Sequence, residues 1–330
     1  MRAQLERYAN RLWYERQRPP WPYQVLARVH ERLYGASWAR PSARPPVPVV
    51  VVGNLTVGGS GKTPVVIALA RHLMAAGRQP ALLSRGYATP RSAGLRRVRA
   101  DDDPALSGDE PVLLAAATGL PVWAGRDRAR ALLAAVAAGA DVVLADDGLQ
   151  HQRLERSFEI VLIDGERGFG NGWLLPAGPL RQPVSRLDTA DLVLHRGAPA
   201  DPSLPGRRFD LVVDALLRLG DAEPVAPKSL AGQPVSALCG IANPAQFART
   251  LEDLGMRPRL HAFPDHHAFS TGDLAGIPRP IVTTAKDAVK LGRLVSGPAA
   301  EGILVLQVSA ALPADTLHRV TEHVQQFAPS

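Results

Sequence analysis

The sequence predicts an α/β protein: a parallel sheet covered by helices, with a second, smaller α/β lobe and an N-terminal amphipathic helical arm. Three observations carry that expectation. Short apolar, β-branched runs alternate with helical segments along most of the 330 residues. A glycine-rich turn joins the first such strand to the first such helix. A Gly- and Pro-containing stretch at 220–234 separates two runs of this alternation and reads as a linker.

Val49–Val52, ending at Gly53, has the unbroken apolar pattern of a buried parallel strand. The segment PVVIALARHLMAAG that follows the glycines reads as a helix. Pro80–Ser84 is a strand, and the polar segment Arg91–Asp103 a hairpin or exposed excursion. Residues 107–119 form a helix with an acidic start. Pro121–Gly125 is a strand, Arg126–Gly139 an Ala-rich helix, and Asp141–Asp147 a buried strand ending in carboxylates. Glu159–Asp164 is another strand. Residues 168–183 hold too many turn formers for regular structure. Asp191–His195 and Phe209–Leu217 are further strands. The second run places strands at 235–240, 257–263, 281–284 and 302–308, and helices at 243–254, 285–294 and 312–327.

Composition narrows the function. The one cysteine, Cys239, lies in the apolar run VSALCG and reads as a core residue. A disulfide framework and a cysteine-rich zinc site are thereby excluded, and a reducing compartment fits. No run of about 18 apolar residues is present to span a membrane. The first residues alternate charge with apolar groups, unlike a secretory leader. The net charge is +7, yet residues 1–46 alone carry nine Arg and three Glu. The same segment holds Tyr8, Trp13, Tyr14, Trp21, Tyr23, Tyr34 and Trp38, seven of the ten Trp and Tyr. Arg with Trp and Tyr suits a lipid headgroup layer. Val25, Leu26, Val29 and Leu33 share one helical face, and Arg28 and Arg32 another.

The glycine-rich turn runs Thr56, Val57, Gly58, Gly59, Ser60, Gly61, Lys62, Thr63. Strand, glycine loop, GK[ST] and helix form a phosphate cradle, the P-loop. Glycines let successive N–H groups turn inward toward anionic oxygens at the helix start. Lys62 is placed to reach the β/γ-phosphates and the Thr63 hydroxyl to hold Mg²⁺. The strict pattern wants Gly where this chain has Thr56.

Such a site needs a carboxylate at the end of a neighbouring strand. Asp146 in VVLADDGLQH and Asp164 in IVLIDGE are candidates. Asp146 with Asp147 is preferred, because paired carboxylates repel unless a cation sits between them. Transfer to a hydroxyl also needs a proton acceptor. Asp109 and Glu110 in GDEP, and His266 in FPDHHAF, are the candidates.

The motifs TVGGSGKTP, SRGY, GDEP, AGRDRA, ADDGLQHQRL, GNGWLLPAGPLRQP, CGIANPAQF, FPDHHAFS and TTAKDAVKL occur in order. With them the chain resembles the tetraacyldisaccharide 4′-kinase (lipid A 4′-kinase) family over essentially its whole length. The resemblance implies ATP- and Mg²⁺-dependent phosphorylation of the 4′-hydroxyl of a tetraacyl glucosamine disaccharide 1-phosphate, giving lipid IV-A. It also implies a peripheral enzyme on the cytoplasmic face of the inner membrane, with no nucleic acid and no obligate protein partner. On that basis residues 1–46 are the membrane-associating arm, 47–225 the P-loop kinase domain, and 226–330 the C-terminal lobe. Asp109 resembles the base, working with His266. Thr63, Asp146 and Asp147 resemble the Mg²⁺ and phosphate residues. Arg85, Tyr87, Glu110, Arg126, Arg128 and Gln150 are expected on the substrate side. Gln182 departs from the family pattern, which usually shows Glu after GPLR.

Two other classes compete. A P-loop GTPase or metal-insertion factor would show [NT]KxD; TTAKDAVK comes near, but Lys286 and Asp287 are adjacent. A nucleic-acid-binding module would suit the charge, yet the acidic loop residues would repel a phosphodiester backbone.

Overall fold

The computed structural model describes residues 8–35, 44–86 and 94–328. Tyr87 therefore lies outside the described residues. The described strands form one continuous mixed sheet. At its centre is β1 (Val49–Asn54), between β5 (Val142–Asp146) and β6 (Phe158–Asp164), both parallel to it. Beyond β5 come β2 (Pro80–Ser84), β4 (Val122–Ala124) and, antiparallel at the edge, β3 (Arg96–Val98). Beyond β6 come β7 (Leu192–Arg196) and β8 (Arg207–Arg218).

The residues of β1 are buried on both faces, which is why its apolar run is unbroken. The pleat divides them. Val50 and Val52 face Val65, Leu69 and Leu73 of helix α2 (Lys62–Ala75). Val49 and Val51 face the opposite core, with Leu132 and Ala135 of helix α4 (Arg128–Ala137). Between these helices in sequence, α3 (Asp109–Thr118) packs beside α2.

The strand β8 carries the chain into the second lobe. Residues Arg207–Phe209 pair in parallel with β7, and the rest pair antiparallel with β13 (Ile303–Ala311). The sheet continues through β12 (Ile281–Thr284), β10 (Pro234–Cys239) and β11 (Arg257–Ala262), all parallel. Helices α5 (Pro244–Asp253) and α6 (Ala285–Leu294) cover opposite faces of this part. Cys239 is a buried core residue whose thiol is pushed up to about 12, chiefly by burial. The final helix, α7 (Ala314–Gln326), returns to the first lobe, where Val320 and Val324 join the core around α2.

The expected linker at 220–234 is not a free tether. It holds the short strand β9 (Pro224–Val225), paired with β8, and a turn whose Leu230 is buried with Phe247 and Leu251. Its Gly and Pro set the turns, while Val225 and Leu230 anchor it to the lobe's core.

The arm helix α1 (Trp21–Tyr34) rests on the sheet through buried Ala27 and half-buried Tyr23. Its Val25, Leu26 and Val29 are exposed, and Leu33 is 71% exposed. Just before it, Trp13 donates its indole N–H to the Pro176 carbonyl at 3.1 Å, and Asn171 donates to the Leu12 carbonyl at 3.1 Å. No helix among the described residues is long and apolar enough to cross a membrane.

Candidate active site

The P-loop is held open from below. Thr56 pairs with Leu180, and the Val57 N–H donates to the Pro179 carbonyl at 2.8 Å. The left-handed positions are Gly58 (φ +121°) and Gly61 (φ +85°), so Thr56 stands where no glycine is required. Asn54 closes the turn by donating Nδ2 to the Gly58 carbonyl at 3.2 Å. Its Oδ1 accepts from Lys62 Nζ at 3.3 Å, aiming the ammonium along the loop.

The paired carboxylates sit beside the loop in different surroundings. Thr63 Oγ1 donates to Asp146 Oδ2 at 3.0 Å, while Asp146 Oδ1 is buried with no hydrogen-bond partner. Burial, with the nearby Glu110 charge, pushes the Asp146 carboxyl up to about 7 against the pull of Lys62. Burial would also raise Asp147, but Lys62 at 3.5 Å and Arg181 at 3.2 Å outweigh it and hold the carboxyl below the usual range. Asp147 is left-handed (φ +55°), a conformation Asp tolerates better than most residues.

Across the cleft, the second lobe brings an imidazole to the first. His266 Nδ1 lies 3.1 Å from both Oδ1 and Oδ2 of Asp109. Lys290 Nζ is 3.3 Å from Asp109 Oδ2, and Lys286 Nζ is 3.3 Å from His266 Nε2. A neutral imidazole that donates from Nδ1 and accepts at Nε2 satisfies both contacts. Burial would raise the Asp109 carboxyl. The His266 hydrogen bond and the Lys286 and Lys290 charges outweigh it and hold it well below the ordinary carboxylate range. Lys286 also pairs with Asp265 at 3.1 Å and Glu110 at 3.6 Å. Burial works against its charge, but these carboxylates and Asp109 raise its affinity for a proton above that of a free lysine. The cleft between the lobes is open and about 1260 Å³, lined by the P-loop, Glu110, Asp147, Arg181, His266 and Lys286 among others.

A sequence model of the tetraacyldisaccharide-1-P 4′-kinases (LpxK) matches residues 20–325. The chain belongs to the tetraacyldisaccharide-1-P 4′-kinase family. It is 49% identical over 274 residues to the tetraacyldisaccharide 4′-kinase of Alkalilimnicola ehrlichii, covering 82% of each chain. It is 48% identical over 258 residues to that of Pseudomonas aeruginosa, covering 77% of each. A crystal structure of LpxK from Aquifex aeolicus in complex with ATP superposes with a TM-score of 0.69 at 29% identity, over 93% of this chain and 96% of that one.

Within this kinase scaffold the remaining expected residues fall in different places. Gln150 bridges the site, donating to the Asn54 carbonyl at 2.9 Å and accepting from Arg181 at 3.4 Å. Glu110 faces the cleft. Arg128 is 1% exposed and reaches the Asp146 backbone carbonyl at 3.2 Å, so it supports the carboxylate from behind. Burial lowers its guanidinium to about 10. Arg85 and Arg126 are exposed, and the Arg126 carbonyl meets His151 Nε2 at 2.8 Å. Asp164 caps the turn after β6 and pairs with Arg196 at 2.5 Å, as a loop cap would. Asn54, Arg181, Lys286 and Lys290 also belong to the site, beyond the residues that the motifs indicate. Arg181 stood in the GPLR motif and both lysines in TTAKDAVKL, but only the fold puts them beside Asp147 and Asp109. Lys286 and Asp287 serve the interlobe cluster, and Asp287 is buried, accepting from the Gly240 N–H at 2.8 Å, so this motif is not a guanine reader.

Proposed function

We propose that this kinase transfers the γ-phosphate of ATP to the 4′-hydroxyl of a tetraacyldisaccharide 1-phosphate, yielding lipid IV-A. One observation carries the reading. A P-loop bearing Lys62 and Thr63 shares one cleft with His266 of the second lobe, whose imidazole meets the buried carboxylate of Asp109 from the first. The loop binds the triphosphate through Val57–Thr63, with Thr56 anchoring its start, and Lys62 follows the charge that develops on the transferring group. Asp109 accepts the hydroxyl proton, and His266 orients it. Arg181, held by Gln150, fixes Asp147, and Arg128 fixes the Asp146 backbone.

Thr63, Asp146 and Asp147 fit Mg²⁺. Asp146 Oδ1 is a buried hard donor with no protein partner, next to a hydroxyl oxygen. Among the described residues no cluster of three or more His, Cys, Asp or Glu could hold a metal by itself. That suits a cation held by one or two carboxylates together with substrate phosphates. When bound, Mg²⁺ supplies charge neutralisation for the phosphates.

The exposed apolar stripe of α1, flanked by Arg28 and Arg32, supports a peripheral seat on the cytoplasmic face of the inner membrane. Arg85, Arg126 and Tyr87 remain part of the substrate-side reading, with Glu110 at the cleft. The test is direct: purified protein, labelled ATP and Mg²⁺, and a tetraacyldisaccharide 1-phosphate, scored for a bisphosphorylated lipid. Absence of label transfer by folded protein would overturn the reading.

A further inference from the structure

The second lobe offers its own polar donor to the cleft. Its parallel strands run in the order β11-β10-β12-β13, so the chain turns opposite ways after β10 and after β11. In open α/β sheets such a reversal opens a crevice at the carboxyl ends of the strands, where ligands bind. Helix α5 starts in this crevice with Asn243 as its N-cap. Asn243 Oδ1 accepts the Gln246 N–H at 3.3 Å, which orients the amide. The residue is 7% exposed and lines the cleft, yet Nδ2 is buried with no hydrogen-bond partner. Pro244 at the first helical position has no N–H, and the Asn243 amide adds a side-chain donor to this end. The preceding residue lies near the P-loop. A Cβ built on Gly59 would lie 3.8 Å from the Ala242 Cβ.

A buried donor without an acceptor is costly, and a helix N-terminus carries partial positive charge. Both features call for an anionic oxygen in the cleft. We propose that Asn243 Nδ2 and the N-terminus of α5 bind the terminal phosphate of the nucleotide held on the P-loop, so that the second lobe distinguishes a triphosphate from a diphosphate. The inference rests on the kinase reading above. The acceptor also carries a phosphate, but the approach of Ala242 to Gly59 favours the nucleotide.

Asn243→Ser and Asn243→Asp both keep an oxygen able to cap α5 while removing the N–H donor. Each is titrated with ATP·Mg²⁺ and with ADP·Mg²⁺ by calorimetry, with thermal melting to confirm an intact fold. Asn243→Ser should weaken ATP about tenfold, the value of one hydrogen bond to a charged oxygen, and leave ADP within about twofold. Asn243→Asp should weaken ATP further, through charge repulsion. Equal losses for ATP and ADP, or no loss for either, would overturn the proposal. Unchanged nucleotide binding with a raised KM for the phosphorylated acceptor would assign the donor to the acceptor and overturn it too. Wild-type protein that binds neither nucleotide would instead sink the kinase reading.

Discussion

Asp109 and His266 are 157 residues apart in sequence and belong to different lobes, yet Nδ1 of one lies 3.1 Å from each carboxylate oxygen of the other. His266 holds a left-handed backbone (φ +58°), one of three such non-glycine residues among those described. That conformation persists only where its surroundings over-determine it. Here the Gly240 carbonyl accepts the His266 N–H at 3.2 Å, and Lys286 contacts the ring.

If the pair acts as a unit, its losses overlap. A general base contributes about 10²–10⁴-fold, so Asp109→Ala should lower kcat by that order while ATP affinity holds. The Asp109→Ala/His266→Ala double variant should be little worse than the worse single one. Steady-state kinetics on the four proteins check this, and losses that simply multiply would refute the dyad.

Against burial, the His266 hydrogen bond and the lysines beside Asp109 set its pH range. Its carboxyl is held below the usual value, so the folded state favours the ionised form. That contribution to stability is present above the unfolded carboxylate pKa, about 3.9, and is lost as pH falls through the lower folded value. Lys290→Met removes one of the charges responsible. The acid limb of the kcat profile should therefore move to higher pH. An unmoved limb would mean that Lys290 does not tune this carboxyl.

Lys62 sits between Asn54 and Asp147 with its charge directed along the P-loop. Lys62→Ala should cost several kcal/mol of transition-state stabilisation, on the order of 10³-fold or more in kcat/KM. Near-normal turnover by a correctly folded variant would remove the P-loop assignment.

The arm can be tested without removing its packing residues. Leu26→Gln/Val29→Gln/Leu33→Gln alters only exposed positions of α1 and leaves Ala27 in place. Vesicle co-sedimentation should fall strongly, whereas Arg28→Ala and Arg32→Ala should each cost about 1 kcal/mol on anionic vesicles. Binding that ignores all five changes would show that this face does not meet lipid.

The return of α7 to the first lobe predicts a stability effect far from the C-terminal lobe's own core. Val320→Ala leaves a gap against α2 and should destabilise by about 1–3 kcal/mol, read from denaturant unfolding. A loss near zero would mean that α7 is only loosely seated.

Most of the architecture was legible because the strands carry it in their own residues. VVVV, VVLA and IVLI are continuous apolar runs, and each is buried on both sides. The P-loop was legible for a similar reason: Gly58 and Gly61 take left-handed conformations that the glycines foretell. Contacts between distant segments were less accessible. Nothing local in AGRDRA says that Arg128 is buried under Asp146, or in TTAKDAVKL that Lys290 meets Asp109. Those pairings depend on which strands become neighbours. Gln182 is 1% exposed with Oε1 unpartnered, a buried amide whose consequence no local pattern could give.

The strand β8 enters the second lobe and β13 leaves it, and the two are neighbours: Asp210 stands opposite Ala311. The entry and exit of that lobe are thus only about one strand spacing apart, roughly 5 Å. Topologically the smaller unit is an insertion threaded into a host that closes again with α7, rather than a module joined in tandem. The order of strands β1 to β7 accordingly does not pass through residues 210–311.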